Sequence, residues 1–270
     1  MTGADLRQKL RSGEKVFGTL IVSPSPRWPD AVRNCGLDFV FIDTEHVALD
    51  RAQLSWMCQT YSAIGLPPLV RIPSPDPFAA SMVLDGGAAG VIAPYVETPE
   101  QVQTLRGAVK LRPVKGKKLQ HMLDGECAEP ELNDYLKNSA ENRLLIVNIE
   151  SVPAIEVLDE ILAVPDLDGV LVGPHDLTCS LGIPEQYNHP DFLSACEAIF
   201  RKARVAGIGA GIHFWGDVQQ QSHLINLGAN MLIHSADIML LQKHLRLDLD
   251  GIKQAVGMKT SAEIRSDNPI

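Results

Sequence analysis

The 270-residue sequence lacks several features that would place it in a familiar class of protein. It has five cysteines, an odd number, and no C-x-x-C pair, which argues against a disulfide framework and favours reduced thiols. No apolar run approaches the roughly 18 residues that a membrane span needs, and the amino-terminal segment has no apolar stretch typical of a secretory signal. These absences predict a soluble, cytoplasmic protein.

Positive charge is scarce relative to negative charge. The chain has 24 lysines and arginines against 33 aspartates and glutamates, which gives a net charge of -9. Such a surface repels phosphate backbones and anionic lipids, and this disfavours binding to nucleic acid or to a membrane surface. The expected ligands are small molecules, and an anionic substrate needs a local cation or a metal ion to hold it.

The most regular feature of the sequence is a repeated passage from a helix-like segment, through a glycine, into a short apolar run. The glycines are Gly36, Gly65, Gly87, Gly207 and Gly228. Glycine is favoured just after a helix because that position often requires a positive φ angle. Apolar runs of four to six residues are typical of parallel strands buried on both faces. The eight predicted strands are Phe17–Val22, Phe39–Asp43, Leu69–Ile72, Gly90–Ala93, Leu144–Ile149, Gly169–Val172, Ile208–Ile212 and Asn230–His234.

Eight strands that alternate with helices over most of the chain predict an α/β fold, a closed (β/α)8 TIM barrel, with residues 1–270 as a single domain. A doubly wound open sheet is the alternative, but no G-x-G-x-x-G follows the first predicted strand. Two predicted helices have clear start signals, Thr98-Pro99 and Asp76-Pro77.

The connection between the fourth and fifth strands is the longest in the chain. It is predicted to hold helices over Pro99–Leu111 and Pro130–Ala140, with a basic loop that includes Lys115–Lys118 between them. Long insertions in barrels tend to serve a site or a subunit contact. The last residues, 259–270, are polar and are predicted to be disordered.

Ionisable side chains occur where the apolar runs stop. In a barrel of this kind the carboxyl ends of the strands meet at one end, where the active site lies. The predicted site residues are Asp43 and His46 after strand 2, Arg71 after strand 3, Asn148 and Glu150 after strand 5, Gly173, Pro174, His175 and Asp176 after strand 6, and His213 and His234 at the ends of strands 7 and 8.

Glu150 and Asp176 follow adjacent strands, and neighbouring strands are about 4.8 Å apart. Two carboxylates this close repel each other unless a cation lies between them. A hard divalent metal ion such as Mg²⁺, Mn²⁺ or Co²⁺ would satisfy both, whereas the lack of an H-E-x-x-H motif argues against zinc. The alternative interpretation is that Glu150 pairs with a neighbouring cation and Asp176 caps a helix.

Two further side chains have the chemistry of a reaction site. Arg71 ends an apolar strand and is predicted to face negative charge that develops during a reaction. His46 follows Asp43 by three residues, and an aspartate bonded to a histidine ring makes that ring a better base. The backbone N–H groups of His175 and Asp176 are placed to hold a carboxylate. The alternatives are a surface arginine and a structural histidine.

Four motifs, in this order, resemble the HpcH/HpaI aldolases, which are metal-dependent class II pyruvate aldolases that act on 4-hydroxy-2-oxoheptanedioate or 2-keto-3-deoxy sugar acids. They are the D-x-E-H after strand 2, the V-R after strand 3, the I-E after strand 5 and the G-P-x-D-L after strand 6. The resemblance implies a (β/α)8 barrel and a homo-oligomer, usually a hexamer, whose last helix is exchanged between partners. It also implies residue roles: Glu150 and Asp176 as metal ligands, His46 as the catalytic base supported by Asp43, and Arg71 as the residue that stabilises an enolate.

The sequence departs from this family's pattern at several positions. His175 stands where an alanine is usual, His213 where an aliphatic residue is usual, and His234 near another apolar position. Asn148 replaces a glutamine, and Lys115–Lys118 replaces a G-x-R-G segment. The departures predict a pocket wall that is more polar and more cationic. The predicted substrate contacts are Gly173, Pro174, His175, Asn148, His213 and His234.

Three functional hypotheses follow. The first is a carbon–carbon lyase that uses a divalent metal ion to cleave or form a 4-hydroxy-2-oxo acid from pyruvate, or a related 2-oxo acid, and an aldehyde, through a metal-stabilised enolate. The second is an acyl-CoA lyase like the citrate-lyase β subunits, with a CoA phosphate on Lys115–Lys118. The third is a ligand-binding barrel without catalytic activity, which has no need of so complete a set of reactive side chains.

Overall fold

The strands of the computed structural model, which describes residues 1–258, form a closed parallel barrel. Neighbouring strands follow the chain order, and the last strand pairs with the first to close the barrel. The predicted (β/α)8 TIM barrel is confirmed, while the tail at 259–270 lies outside the described residues. The strands are β1 (Val16–Leu20), β2 (Phe39–Asp43), β3 (Pro68–Arg71), β4 (Gly90–Ala93), β5 (Leu144–Ile149), β6 (Gly169–Val172), β7 (Gly209–Phe214) and β8 (Met231–Ala236).

Helices precede the first strand and connect or follow the others. The glycine and capping signals explain many of their ends: all five glycines of the repeated pattern have positive φ angles, and Thr98 forms a capping box with Gln101. The helices of the described residues are α1 (Gly3–Ser12), α2 (Trp28–Val32), α3 (Arg51–Ala63), α4 (Pro77–Asp85), α5 (Pro99–Val109), α6 (Gly116–Leu123), α7 (Pro130–Ala140), α8 (Val152–Glu156), α9 (Leu158–Leu162), α10 (Pro174–Ser180), α11 (Pro190–Val205), α12 (Val218–Asn226) and α13 (Asp237–Ala255).

Alternation along each strand divides the apolar core into two layers. Every second side chain, such as Phe41 and Ile146, fills the barrel interior, and the side chains between them, such as Ile42 and Val147, pack against the surrounding helices. Helix α1 closes the amino-terminal end of the barrel because its Leu6 joins the interior layer. The opposite end is left open for polar side chains.

Strands β7 and β8 extend two residues beyond their predicted ends. The apolar runs stop early because polar residues enter the strands, but backbone pairing continues as far as Phe214 opposite His234. His213 and His234 therefore lie within the strands, and the alternation decides which side of the wall each one faces. His213 faces inward, beside Phe41, whereas His234 faces outward, where it borders a groove between helices.

Helix α6 occupies the stretch that the sequence predicts to be a basic loop, so that prediction was wrong. Leu119 and Leu123, four residues apart, approach Gly107 of α5 and give this helix an apolar side among its lysines. The exposed Lys118 forms an ion pair of 2.8 Å with Glu129, at the start of α7. Part of the charge proposed for a CoA phosphate is therefore already neutralised within the chain.

Helix α13 leaves part of the barrel wall uncovered. Its described side chains are largely exposed, including Leu241, Leu245 and Ile252. Over β1 and β8 lies an apolar groove of about 720 Å³, which includes Phe17 and Leu232 in its lining. None of the helices in residues 1–258 combines the length and the apolar character needed to cross a bilayer.

Candidate active site

The best-defined contact at the open end of the barrel joins Arg71 to Asp43. These residues are register partners on β3 and β2, and Nε and Nη2 of the guanidinium donate hydrogen bonds of 2.9 and 2.7 Å to the two carboxylate oxygens. The Asp43 side chain is 1% exposed. Burial alone would raise the pKa of Asp43, but the hydrogen bonds and charge of Arg71 outweigh it and hold the pKa below its usual value.

The carboxylate nearest to His46 belongs to Glu45. The distance from Nε2 of His46 to Oε1 of Glu45 is 3.5 Å, and the other oxygen of Glu45 lies 3.1 Å from Nε of Arg71. No hydrogen bond joins Asp43 and His46 among the described residues. The expected direct support of His46 by Asp43 is corrected on this point, because the fork of Arg71 occupies both oxygens of Asp43.

Glu150 lies at the mouth with both carboxylate oxygens hydrogen-bonded. Oε1 accepts a bond of 2.7 Å from the backbone N–H of Tyr95, and Oε2 accepts one of 2.8 Å from Nδ2 of Asn148. Burial raises the pKa of Glu150, and the negative charges of Asp176 and Glu45 raise it further. This carboxylate therefore lies within electrostatic reach of Asp176.

Gly173 lies in the sequence between the two candidate metal ligands, at a position of the site that has no room for a side chain. A Cβ atom at this position would lie 2.5 Å from Oε2 of Glu150, so any larger residue would displace the carboxylate. Gly173 is the N-cap of α10, and Asp176 follows in the first turn of that helix with an exposed side chain. The short strand-to-helix turn therefore brings Asp176 near enough for its charge to act on the buried Glu150.

Tyr95 belongs to the site, although the sequence analysis did not identify it. It follows β4 with a φ angle of 55°, a left-handed conformation that is uncommon for a residue other than glycine. This conformation points its N–H toward Glu150, while the ring stays 51% exposed. The nearby carboxylate of Glu45, together with burial and the charges of Asp176 and Glu150, raises the pKa of the phenol to about 12.

His213 lies inside the barrel beneath Arg71. Its Nε2 is 3.1 Å from the backbone oxygen of Ser235, and its ring makes an edge contact with Phe41 at a centroid distance of 5.3 Å. Burial lowers the pKa of His213 from 6.5 to about 4, and the positive charge of Arg71 adds to this effect. The imidazole is therefore neutral at pH 7, and its contact with a carbonyl oxygen places the proton on Nε2.

Lowering the pH from 6.5 to 4 is expected to destabilise the protein through His213, because its folded pKa is about 4. His213 binds a proton more tightly in the unfolded chain than in the folded protein. Its neutral form therefore contributes fully to stability above the pKa of the unfolded state, and this contribution is lost as the pH falls through the pKa of the folded state. The shift corresponds to at most about 3 kcal/mol. In urea unfolding, H213F should lose less stability between pH 6.5 and 4 than the wild type does. The control H121F, at an exposed site, should lose as much as the wild type. Equal acid sensitivity of H213F and the wild type would contradict this assignment.

One predicted substrate contact, His234, lies away from the mouth. His234 points outward, where Nδ1 lies 3.0 Å from Oε1 of Gln221 and the ring borders the groove over β1 and β8, so its assignment to the substrate pocket was wrong. His175 is 41% exposed, and its Nδ1 lies 4.0 Å from the carboxylate of Glu185 in the next loop. Its neighbour Pro174 is buried at the start of α10.

Comparison with known proteins decides the family. A family model for HpcH/HpaI aldolase/citrate lyase proteins matches residues 21–243, which is most of the chain. The chain belongs to that family. The resemblance drawn from the four motifs is confirmed, and so, at the level of the family, is the prediction of a carbon–carbon lyase of the aldolase type.

Individual HpcH/HpaI relatives are similar over nearly their whole length. A 2-keto-3-deoxy-L-rhamnonate aldolase from Salmonella gallinarum is 28% identical over 94% of this chain and 95% of its own. A hydroxypyruvate/pyruvate aldolase from Pseudomonas aeruginosa is 29% identical, with 89% of each chain covered. The crystal structure of an HpcH/HpaI aldolase from Desulfitobacterium hafniense is 28% identical and superposes with a TM-score of 0.79, covering 98% of this chain and 99% of that chain.

Oδ1 of Asn148 is a buried acceptor atom at the mouth of this HpcH/HpaI barrel that has no hydrogen-bond partner among the described residues. Buried acceptors in folded proteins are nearly always satisfied, so an open one in a polar cleft is suited to a donor or a cation brought by a ligand. Nδ2 of Asn148 donates to Glu150, so this open acceptor lies beside a candidate metal ligand.

Proposed function

We propose that this protein is a divalent-metal-dependent aldolase that cleaves a 4-hydroxy-2-oxo acid to an aldehyde and pyruvate or a related 2-oxo acid. One observation carries the proposal: a carboxylate pair, Glu150 and Asp176, shares the barrel mouth with a guanidinium, Arg71, that Asp43 fixes in place. Opposite charges held side by side suit a substrate that carries one negative charge and develops a second. The names of the aldolase relatives support the same class of substrate.

The donor atoms of Glu150 and Asp176 fit a hard divalent ion such as Mg²⁺, Mn²⁺ or Co²⁺. Residues 1–258 contain no cluster of three or more His, Cys, Asp or Glu side chains placed to bind a metal ion, so water and substrate oxygens would complete the coordination. Burial and the charges of Asp176 and Glu45 raise the pKa of Glu150, and a cation at this position would favour its ionised form. Bound there, it would act as a Lewis acid toward the 2-oxo acid.

The proton transfer is proposed for His46. Its ring is 44% exposed at the mouth, and the neighbouring Glu45 stabilises the imidazolium that forms when Nε2 takes a proton. His46 removes the proton of the C4 hydroxyl, the C3–C4 bond breaks, and the aldehyde leaves. The electron pair of the broken bond passes to the 2-oxo acid fragment as an enolate.

Arg71 is proposed to stabilise the negative charge of that enolate. Two hydrogen bonds to Asp43 fix the plane of the guanidinium, and the ring of Phe41 lies 5.5 Å from its central carbon. A donor group fixed before the reaction needs no reorganisation as charge develops. The chain therefore supplies a base and an anion-stabilising cation, and both contact the carboxylate of Glu45.

The test is a coupled assay for pyruvate release across a panel of 4-hydroxy-2-oxo acids, with and without EDTA. Release that stops in EDTA and returns with Mg²⁺, Mn²⁺ or Co²⁺ is the expected result. Unchanged release in excess chelator would remove the metal ion from the proposal. A lack of release with every substrate, together with no uptake of Mn²⁺ in titration, would favour a binding protein over an enzyme.

We also propose that the protein is a homo-oligomer in which α13 packs against another copy, as the family resemblance implies for a hexamer. Two features support this: α13 exposes leucines and isoleucine to solvent, and an apolar groove lies open over β1 and β8. Leu241 of α13 also lines the groove, so the two features form one continuous apolar surface on the described chain. Association with another copy would bury this surface.

Introducing charge on α13 is expected to dissociate this oligomer. L245D/I252D places two carboxylates on side chains that are 54% and 60% exposed in the single chain, where a folded monomer can solvate them. Light scattering after gel filtration should show a larger mass for the wild type and a monomer for the variant. The control Q254D changes an exposed polar residue of the same helix and should keep the wild-type mass. A wild-type protein that runs as a monomer would contradict the proposal.

A further inference from the structure

Aromatic side chains cluster at the end of β7, where the sequence runs His213-Phe214-Trp215-Gly216. The ring centroids of Trp215 lie 6.0 Å from those of both His213 and Tyr187, and each pair meets edge to face. Phe214 packs behind them, with its ring centroid 5.2 Å from that of Tyr187. We call His213, Trp215 and Tyr187 the aromatic wall.

The aromatic wall begins beside the guanidinium of Arg71. The ring of Phe41 links them, because its centroid lies 5.3 Å from that of His213 and 5.5 Å from the central carbon of Arg71. From His213 the wall continues through Trp215 to Tyr187. The wall therefore starts next to the group that is proposed to stabilise the enolate.

Trp215 is the open part of this wall. Its indole is 39% exposed, although it makes ring contacts with three neighbours. An exposed large aromatic side chain beside a polar cleft marks a surface that a ligand covers, because indole gains by leaving water. The edge contacts with His213 and Tyr187 fix the indole in place, so little conformational entropy is lost when a ligand packs against it.

His213 supplies the aromatic wall with a hydrogen-bond acceptor, its Nδ1 atom. Its Nε2 carries the proton toward the backbone oxygen of Ser235, and its Nδ1 has no hydrogen-bond partner among the described residues. A neutral imidazole with this tautomer accepts a hydrogen bond at Nδ1. A hydroxyl group on a ligand is the matching donor.

We infer that the aromatic wall binds the aldehyde portion of the substrate and selects a planar aromatic ring there, with a ring hydroxyl accepted by His213. The inference rests on the proposed aldolase function, because it assigns the part of the substrate that becomes the aldehyde. Flat rings pack face or edge against indole, whereas a short aliphatic chain leaves most of the indole exposed. The substrate class is a 4-hydroxy-2-oxo acid whose C4 carries an aryl group.

The test runs the reaction in the direction of condensation, with pyruvate, Mn²⁺ and either benzaldehyde or acetaldehyde. Wild-type protein should have the higher kcat/KM with benzaldehyde. W215A should lose about tenfold more with benzaldehyde than with acetaldehyde, which corresponds to about 1.4 kcal/mol of lost ring contact. W56A, a matched change at an exposed tryptophan of α3, should leave the ratio at the wild-type value. An unchanged ratio in W215A would overturn the inference.

A second measurement does not depend on turnover. Benzaldehyde should quench part of the tryptophan fluorescence of the wild type saturably, and acetaldehyde should not. W215F keeps an aromatic ring and the tryptophans at 28 and 56, and it should lose this quenching. If condensation fails with both aldehydes, the proposed function is wrong, and the quenching still decides whether the wall binds an aromatic ring. If condensation succeeds without quenching, the wall does not bind the aldehyde portion.

Discussion

E150Q is expected to lower kcat/KM for pyruvate release by at least about a hundredfold and to abolish Mn²⁺ binding. The change keeps the shape of the side chain and its acceptor oxygen toward the backbone N–H of Tyr95, but it removes the charge that a metal ion requires. The thermal stability of E150Q, in contrast, should increase. Because burial and the neighbouring carboxylates raise the pKa of Glu150, its ionised form is unfavourable in the metal-free protein, and the neutral glutamine should raise the Tm.

Loss of activity and Mn²⁺ binding together with a higher Tm would identify a lost metal site, because a variant with a damaged fold would have a lower Tm. Mn²⁺ titration calorimetry, steady-state kinetics and thermal unfolding without metal are the three measurements. E156Q is the matched control, because Glu156 is an exposed glutamate of α8 just beyond the site. It should behave as the wild type in all three. Undiminished Mn²⁺ binding by E150Q would show that the ion binds elsewhere.

R71M is expected to lose both stability and activity. Without the guanidinium, the nearly inaccessible Asp43 has an uncompensated charge, and loss of one partner of a buried ion pair costs about 3–5 kcal/mol. The same change removes the donor proposed for the enolate, and loss of such a donor lowers kcat by about 10²–10³. Urea unfolding and the pyruvate-release assay measure the two effects.

A double variant separates the structural role of Arg71 from its chemical role. R71M/D43N removes both charges and should recover most of the stability lost in R71M, yet it should not recover activity. R201M is the matched surface control, because Arg201 is 71% exposed and pairs only with Glu197 on its own helix. It should cost less than about 1 kcal/mol and leave kcat unchanged. Recovery of activity in the double variant would show that Arg71 serves only to neutralise Asp43.

The barrel could be predicted from the sequence because strand and helix signals alternate along the whole chain. Both bounds of β2, β4, β5 and β6 match their predictions, since each is a short run with at most one polar residue, at or near its carboxyl end. The last two strands were predicted too short because a polar residue such as His213 interrupts the run without interrupting the backbone pairing. Helix α6 was missed because its apolar side consists chiefly of two leucines among lysines.

The site could be predicted as a set of residues but not as a set of contacts. Which carboxylate meets which cation depends on strand register, and the register of β2 with β3 places Asp43 opposite Arg71 rather than beside His46. Glu45 belongs to the D-x-E-H motif, but its contacts with His46 and Arg71 appear only in the folded chain. Tyr95 had no sequence signal, since its left-handed backbone conformation is unusual for tyrosine.

Strand β8 has consecutive residues that serve two different surfaces. The backbone oxygen of Ser235 holds the ring of His213 inside the barrel, while the preceding residue, His234, borders the groove outside and its backbone oxygen accepts a hydrogen bond from Thr19. The two residues share one peptide unit, so a backbone shift at either position would move both contacts. On the proposals made above for assembly and substrate binding, a substitution in β8 that alters one trait is expected to alter the other.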